Sequence, residues 1–231
     1  MNTRIAGGNS SSAFSFGTVL LGAGRSRRMG RPKLLLPWNG TSVLGHLVAQ
    51  WRAAGAGQIG IVCAAGDRAI EAELERLGLP AAHRIVNPAP ERGMFSSIQC
   101  AAQWPAWENA LTHFGIVLGD QPHLRQTTLR ALVRFAIAHP AQVCQPSSGG
   151  RPRHPVFLPK TAFFEIAHSR AETLKEFLAR LQTATCQLED PGLDLDLDSP
   201  ADYEKALRLS ASVHEGRLSG PQVNGQHVGP D

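Results

Sequence analysis

FGTVLLGAGRSRRMGRPKLLLPWNG, residues 16–40, opens with the apolar run Phe16–Leu21, stops on glycine and then turns cationic. An apolar run without alternation suits a parallel strand buried on both faces. Gly22, Ala23 and Gly24 then offer small side chains where backbone amides can approach a ligand closely. Arg25, Arg27, Arg28, Arg31 and Lys33 follow with no acid among them. Clustered cations beside exposed amides call for a polyanion.

Outward from this stretch, strand and helix patterns alternate. Ser42 caps a helix to about Ala54, with Val43, Leu44, Leu47, Val48 and Trp51 at helical spacing. A strand at Ile59–Cys63 follows, then an Asp67-capped helix carrying Ile70, Leu74 and Leu77 and stopped by Gly78 and Pro80. The pattern continues with a strand at Arg84–Val86, a helix over Ser96–Gln103, a strand at Phe114–Leu118 and a helix over Gln126–Ala138. Strands near Gln142–Gln145 and Pro155–Leu158 flank the Gly149-Gly150 turn in a looser stretch expected to cover the site. Helical patterns at Ala162–Ala167 and Glu172–Leu181 precede strands at Cys186–Leu188 and Leu193–Leu197. Ser199-Pro200 then starts a last helix to Leu209, with cap and N1 proline in place. Alternation of this kind marks a parallel α/β fold, and no internal repeat is present.

The 231 residues suffice for one sizeable core and are short for two full domains. No apolar run approaches the roughly 18 to 20 residues that a membrane helix needs. Five of the 23 Lys and Arg residues lie in the one loop, so the net charge of +4 reflects a local anion site more than a basic face. Neither a basic helix face nor interleaved aromatics argues for nucleic acid. Cys63, Cys100, Cys144 and Cys186 form no short metal-ligand pair, and reduced thiols in the cytoplasm are the expectation. Polar residues around Gly7–Ser12, and cations that follow the apolar stretch, argue against a signal peptide. Residues 1–14 read as a flexible leader, 15–210 as the folded domain and 211–231 as a flexible tail.

The loop matches neither of the two better-known phosphate motifs. GxGxxG starting at Gly22 and Gly24 needs a small residue where Arg27 stands, and GxxxxGK[ST] lacks its GK pair. A triphosphate carries about four negative charges, which amides, Lys33 and Arg28 are suited to receive. Asp120 follows the strand Phe114–Leu118, placing it at the carboxyl edge where open α/β sheets bind ligands. Asp194, Asp196 and Asp198 alternate with Leu193, Leu195 and Leu197. On a strand all three carboxylates would share one face. Mg²⁺ takes one or two hard carboxylates and completes its shell with phosphate and water. Asp120 and Asp198 are the candidate ligands, with Asp196 in reserve.

These residues resemble the nucleotidyltransferase family that includes molybdenum cofactor cytidylyltransferase and molybdopterin guanylyltransferase. Five patches carry the likeness in order: the loop at 21–40, NPAPERGMFSSI at Asn87–Ile98, LGDQP at Leu118–Pro122, RHPVFL at Arg153–Leu158 and DLDSPADY at Asp196–Tyr203. The resemblance implies a single Rossmann-like three-layer α/β domain with a mostly parallel sheet, of the nucleotide-diphospho-sugar transferase type. It further implies that Leu21, Gly22, Ala23, Gly24, Arg25 and Lys33 hold the triphosphate. Asn87, Gly93, Met94, Ser96 and Ser97 would approach the base, although either serine would also serve as a helix cap. Lys33, Arg28 and Asp120 would be catalytic, Asp120 and Asp198 would bind Mg²⁺, and His154 would face the second substrate.

The expected reaction moves CMP from CTP onto the phosphate of a molybdopterin-type cofactor and releases pyrophosphate. Ala23, as in cytidylyl members, favours CTP over GTP, while Gly22 departs from their alanine. A sugar phosphate or another phosphorylated acceptor is the nearest alternative. A cofactor-delivery module serving a molybdoenzyme partner is the alternative of another class.

Overall fold

The computed structural model describes residues 13–24 and 29–218, with backbone alone over 212–218. In chain order the elements are β1 (Phe16–Leu21), β2 (Pro37–Trp38), β3 (Thr41–Ser42), α1 (Val43–Ala53), β4 (Gln58–Ala64), α2 (Arg68–Arg76), β5 (Arg84–Asn87), α3 (Met94–Ala102) and β6 (His113–Leu118). They continue with α4 (Gln126–Ala138), β7 (Val143–Ser148), β8 (Arg151–Pro152), β9 (Val156–Pro159), α5 (Lys160–Glu165), α6 (Leu174–Leu178), β10 (Thr183–Gln187) and α7 (Pro200–Leu218). The main sheet has the order β10-β7-β9-β6-β1-β4-β5, with β8 paired to β7; β2 and β3 form a separate hairpin.

β1 pairs in parallel with both β4 and β6, and β4 with β5. The chain therefore winds outward from β1 through β4 to β5, then crosses back to place β6 on the opposite side of β1. Loops leaving β1 and β6 diverge at this reversal, which opens a crevice at the carboxyl ends of the two central strands. The stretch after α4 is an integral part of the sheet. β9 is antiparallel to β6 and β7, and β7 and β8 form a hairpin across Gly149-Gly150.

Both sheet faces are covered, as a parallel sheet requires. Phe16, Leu20, Ile59, Ile61 and Val117 pack one face against α1, α2, α4 and α7. Val19, Val62, Phe114 and Ile116 pack the other against α3, α5 and α6. The central strands are thus three-layer core, each large side chain contributing roughly 1.5 to 3 kcal/mol through burial. Ser42 and Asp67 cap α1 and α2 as expected, their side chains accepting from Gly45 N and Ile70 N.

Three expectations are corrected. α3 begins at Met94, two residues before Ser96, and its cap is Gly93, whose φ of 92° disfavours a side chain, so neither serine caps the helix. Leu193–Leu197 is no strand: a 3-10 turn covers Pro191–Asp194, after which Leu195 and Leu197 stay buried but no partner strand pairs with them. α7 runs to Leu218, well past Leu209, so the tail expected from 211 is helical for its first residues. The leader over 1–12 and the remaining tail over 219–231 lie outside the described residues.

Close approach of the β1 and β6 loops depends on two glycines. A Cβ on Gly119 would stand 2.5 Å from the Leu21 carbonyl oxygen, and one on Gly22 would stand 2.7 Å from Leu34 Cδ1 and 3.0 Å from the Val62 oxygen. Among the described residues, Gly24 has nothing within 4 Å of the same point. Gly119→Ala should therefore cost about 1 to 3 kcal/mol in urea unfolding, as overpacking against backbone does. Gly24→Ala should stay within about 0.5 kcal/mol of wild type. Equal stability of the two variants would contradict the packing argument.

Candidate functional site: an acidic pair bridged by a lysine

A cleft of about 330 Å³ lies at the β1/β6 reversal. Its walls are Leu21–Gly24 after β1, Leu118–Asp120 after β6, Lys33 and Leu34, and Pro90, Gly93, Met94 and Ser97 around the start of α3. Most of the residues expected to bind a nucleotide are therefore brought together. Arg25 and Arg28 lie outside the described residues.

Lys33 is placed by its neighbours. Pro32 leads into a 3-10 turn over Lys33–Leu35, and Leu34 and Leu36 are buried on either side. Leu34 closes over the glycines of both loops, which leaves the lysine chain to run along the cleft wall. Its Nζ donates to Asp198 Oδ1 at 2.7 Å and to Asp120 Oδ2 at 3.3 Å, with the lysine side chain only 16% exposed. Two carboxylates from distant segments thus meet at one ammonium.

Backbone bonding holds those carboxylates in place. Leu197 N donates to the Asp120 carbonyl at 3.0 Å, tying the 194–198 segment to the β6 loop. Beyond Asp198 a capping box begins α7: Ser199 N donates to Asp202 Oδ2 at 2.9 Å, and Asp202 N donates to Ser199 Oγ at 3.3 Å. The three alternating aspartates reach different partners. Asp194 pairs with Arg153 and accepts from Ser148 Oγ, Asp196 accepts from Gln121 Nε2 at 2.9 Å, and Asp198 meets Lys33. Without strand geometry, the shared face expected of them does not form.

Burial pushes the Asp120 carboxyl above the usual aspartate range, and the nearby charge of Asp196 pushes the same way, against the pull of Lys33. Among the described residues, Asp120 Oδ1 is buried without a hydrogen-bond partner. A buried, unsatisfied carboxylate oxygen is costly unless a cation or donor completes it. With Asp198 held by the same ammonium and Asp120 lining the cleft, the hard oxygens of the pair fit a magnesium-type ion that takes only one or two protein carboxylates. Among the described residues no group of three His, Cys, Asp or Glu side chains gathers to form a self-sufficient metal cage.

Asn87 and Ser96 take positions other than those expected of direct contacts. Asn87 is 1% exposed and lies behind the wall, where Nδ2 donates to Ser96 Oγ and Ser97 Oγ at 2.9 Å each. Ser97 lines the cleft; Ser96 faces a second depression on the other side of the α3 start. His154 does not line the cleft. It precedes β9, two residues beyond the Ile116–Val156 pair, on the Asp196 side of the sheet edge. Its Nδ1 is buried and unpartnered, and burial lowers the imidazole pKa, so the ring is held neutral. Pro90, Leu34 and Gly119 are wall residues that sequence reasoning missed. Gly119 was legible within LGDQP, whereas Pro90 carries no signal of its own.

Known proteins are similar to this chain. The chain is 23% identical over 187 residues to molybdenum cofactor cytidylyltransferase of Escherichia coli K12, spanning 80% of this chain and 92% of that one. The crystal structure of Rv0371c from Mycobacterium tuberculosis H37Rv is 28% identical with a TM-score of 0.64, over 85% of this chain and 98% of that one; the same protein is also known as a complex with manganese. A nucleotidyl transferase from Methanothermobacter thermautotroptrophicus, 19% identical, has the same fold with a TM-score of 0.71 over 86% of this chain and 99% of that one. Residues 18–185 match the MobA-like NTP transferase domain, and the chain belongs to that family of nucleotidyltransferases.

Proposed function

We propose that the protein transfers CMP from CTP to the phosphate of a molybdopterin-type cofactor and releases pyrophosphate. The observation that carries the reading is the Lys33 ammonium held between Asp120 and Asp198 at the carboxyl edge of β1 and β6. Such a site holds positive charge in a partly buried place, next to the small residues of the loop after β1 and an unsatisfied carboxylate oxygen. The cytidylyltransferase relative and Ala23 both favour CTP. Gly22, the departure from the cytidylyl pattern, answers to packing against Leu34 and Val62 and says nothing of the base.

In this reading an oxygen of the acceptor phosphate, already ionised near neutral pH, attacks the α-phosphorus of CTP. The bond to the β-phosphate oxygen breaks, and pyrophosphate leaves with the electron pair. No general base is needed, which fits a His154 held neutral and away from the cleft. The protein aligns the reactants and neutralises charge. Amides of Ala23 and Gly24 receive the triphosphate, the Gly22 N–H being donated to the Val62 carbonyl at 2.8 Å; Lys33 turns from the carboxylates to the phosphates, and Arg25 and Arg28 add charge from the same loop. Asp120 and Asp198 would hold Mg²⁺, which supplies further positive charge to the phosphate oxygens; the manganese complex of Rv0371c supports a divalent ion in this fold. Four unpaired cysteines suit a reducing compartment, and we place the enzyme in the cytoplasm.

Incubation with CTP, Mg²⁺ and molybdopterin should give pyrophosphate and a product heavier by one CMP in mass analysis. Lys33→Ala and Asp120→Ala should each lose at least about a hundredfold in rate, as removal of a charge-stabilising group does. Wild-type rates in both variants would sink the mechanism.

The raised Asp120 carboxyl sets a pH dependence. A metal ligand must be deprotonated, so activity falls as pH drops through that raised value, at higher pH than an ordinary aspartate would give. Saturating Mg²⁺ competes with the proton and should move the acid limb of kcat/KM downward. The folded chain also binds this proton more readily than the unfolded one, so the contribution of Asp120 to stability declines as pH rises through the same window. An acid limb unmoved by Mg²⁺ would separate Asp120 from the metal.

A further inference from the structure

Asp190 is a buried carboxylate, 3% exposed, that no step of the proposed reaction uses. Its Oδ1 accepts from Gly192 N at 2.9 Å, which starts the 3-10 turn of its own segment. Its Oδ2 reaches out of that segment and accepts from Arg125 N at 3.0 Å and from Thr128 Oγ1 at 2.7 Å. The N-cap residue of α4, Arg125, offers no side-chain cap, so Asp190 supplies one from 65 residues away, where a carboxylate also suits the helix dipole. Next along, the Gly192 carbonyl accepts from His123 Nε2 at 3.1 Å, and because a carbonyl can only accept, that nitrogen carries a proton. The two segments cross closely: a Cβ on Gly192 would stand 2.9 Å from His123 Cδ2.

Together with Asp196 on Gln121 and Leu197 on Asp120, these partners run in opposite order along the chain: 190 meets 125 and 128, 192 meets 123, 196 meets 121 and 197 meets 120. The segments therefore lie antiparallel, joined mainly through side chains where a strand pair would use backbone. Among the described residues, the bond from Leu197 N to the Asp120 carbonyl is the one backbone–backbone link between them. Burial of Leu193, Leu195 and Leu197 is non-directional and does not fix where the next residue stops. Directional bonds do. We infer that Asp190 and His123 are positioning residues whose bonds clasp 190–197 onto 120–128 and so set the Asp198 carboxylate against that of Asp120. The inference rests on the reading of those two carboxylates as a divalent-ion site, and it assigns a part in metal binding to two residues that touch neither ion nor substrate.

The test is Mn²⁺ titration of the full chain by electron paramagnetic resonance, without nucleotide, together with hydrogen exchange at the Leu197 amide by NMR. Asp190→Asn turns one carboxylate oxygen into an amide nitrogen that faces N–H donors, and His123→Leu removes the bond to Gly192. Each should weaken Mn²⁺ by about tenfold, the lower end of what loss of a partner behind the ligands costs, and should speed Leu197 exchange by at least about tenfold while β6 amides keep their protection. His123→Gln keeps a donor in reach of the Gly192 carbonyl and should restore both. In an Asp198→Asn background, Asp190→Asn should weaken Mn²⁺ no further, a non-additivity that general destabilisation would not produce. If Asp190→Asn fails to fold by circular dichroism, Thr128→Val, which deletes one donor to Asp190, takes its place with a smaller loss. Mn²⁺ affinity equal to wild type in Asp190→Asn and His123→Leu, or the same loss with and without the Asp198 carboxylate, would overturn the inference. Absence of Mn²⁺ binding by the wild type would instead remove the metal reading, and Leu197 exchange alone would then decide whether the clasp holds.

Discussion

One ammonium between two carboxylates organises the functional edge of this protein. Asp120 and Asp198 belong to segments far apart in sequence, and like charges brought together in a partly buried place repel unless a cation stands between them. Lys33 supplies that cation at 2.7 and 3.3 Å. The Asp198 side chain keeps 37% of its surface exposed, so the net worth of the contact stays near that of a surface ion pair, about 0 to 1 kcal/mol. It is also exchangeable, because a metal ion and a triphosphate together offer the carboxylates a cation and the lysine an anion. Under the proposed function, the resting site holds in its own side chains the charges that catalysis would redistribute.

That exchange requires the loops after β1 and β6 to lie almost in contact. Gly22 and Gly119 permit it, Leu34 seals the apolar side of the junction, and the bond from Leu197 N to the Asp120 carbonyl brings the third segment alongside. On the opposite wall, the left-handed backbone of Gly93 starts α3 toward the cleft, and Asn87 holds the serines of its first two turns. Under the proposed function, phosphate and base would be met by different strand ends of one sheet.

Much of this was legible in sequence because local signals and tertiary demand agree. Phe16–Leu21 and Gln126–Ala138 have the bounds that their apolar patterns imply, and Ser42 and Asp67 cap as their types predict. Lys33, Asp120 and Asp198, singled out for phosphate and metal, lie together through ion pairs that their sequence positions do not foretell, and the strand assumed for 193–197 is absent. There the alternation of leucine and aspartate reflects burial on one side of an extended segment without ladder bonding. Propensity could not distinguish the two, because a strand needs a partner and the nearest neighbour offers a single carbonyl. Asn87 was also read too directly. A ligand-binding polar side chain and a buried brace look alike in sequence until the hydrogen bonds are drawn, and its contact with both serines is a tertiary fact.

The claim at the centre of this account is that Lys33 and a divalent ion compete for the same two carboxylates. Electron paramagnetic resonance titration with Mn²⁺, in the absence of nucleotide, tests it through a change of sign. Lys33→Ala should bind Mn²⁺ more tightly than wild type, because the competing ammonium is gone, while Asp120→Asn and Asp198→Asn should bind it more weakly. Equal Mn²⁺ affinity in wild type and Lys33→Ala, with no loss in either aspartate variant, would contradict the account.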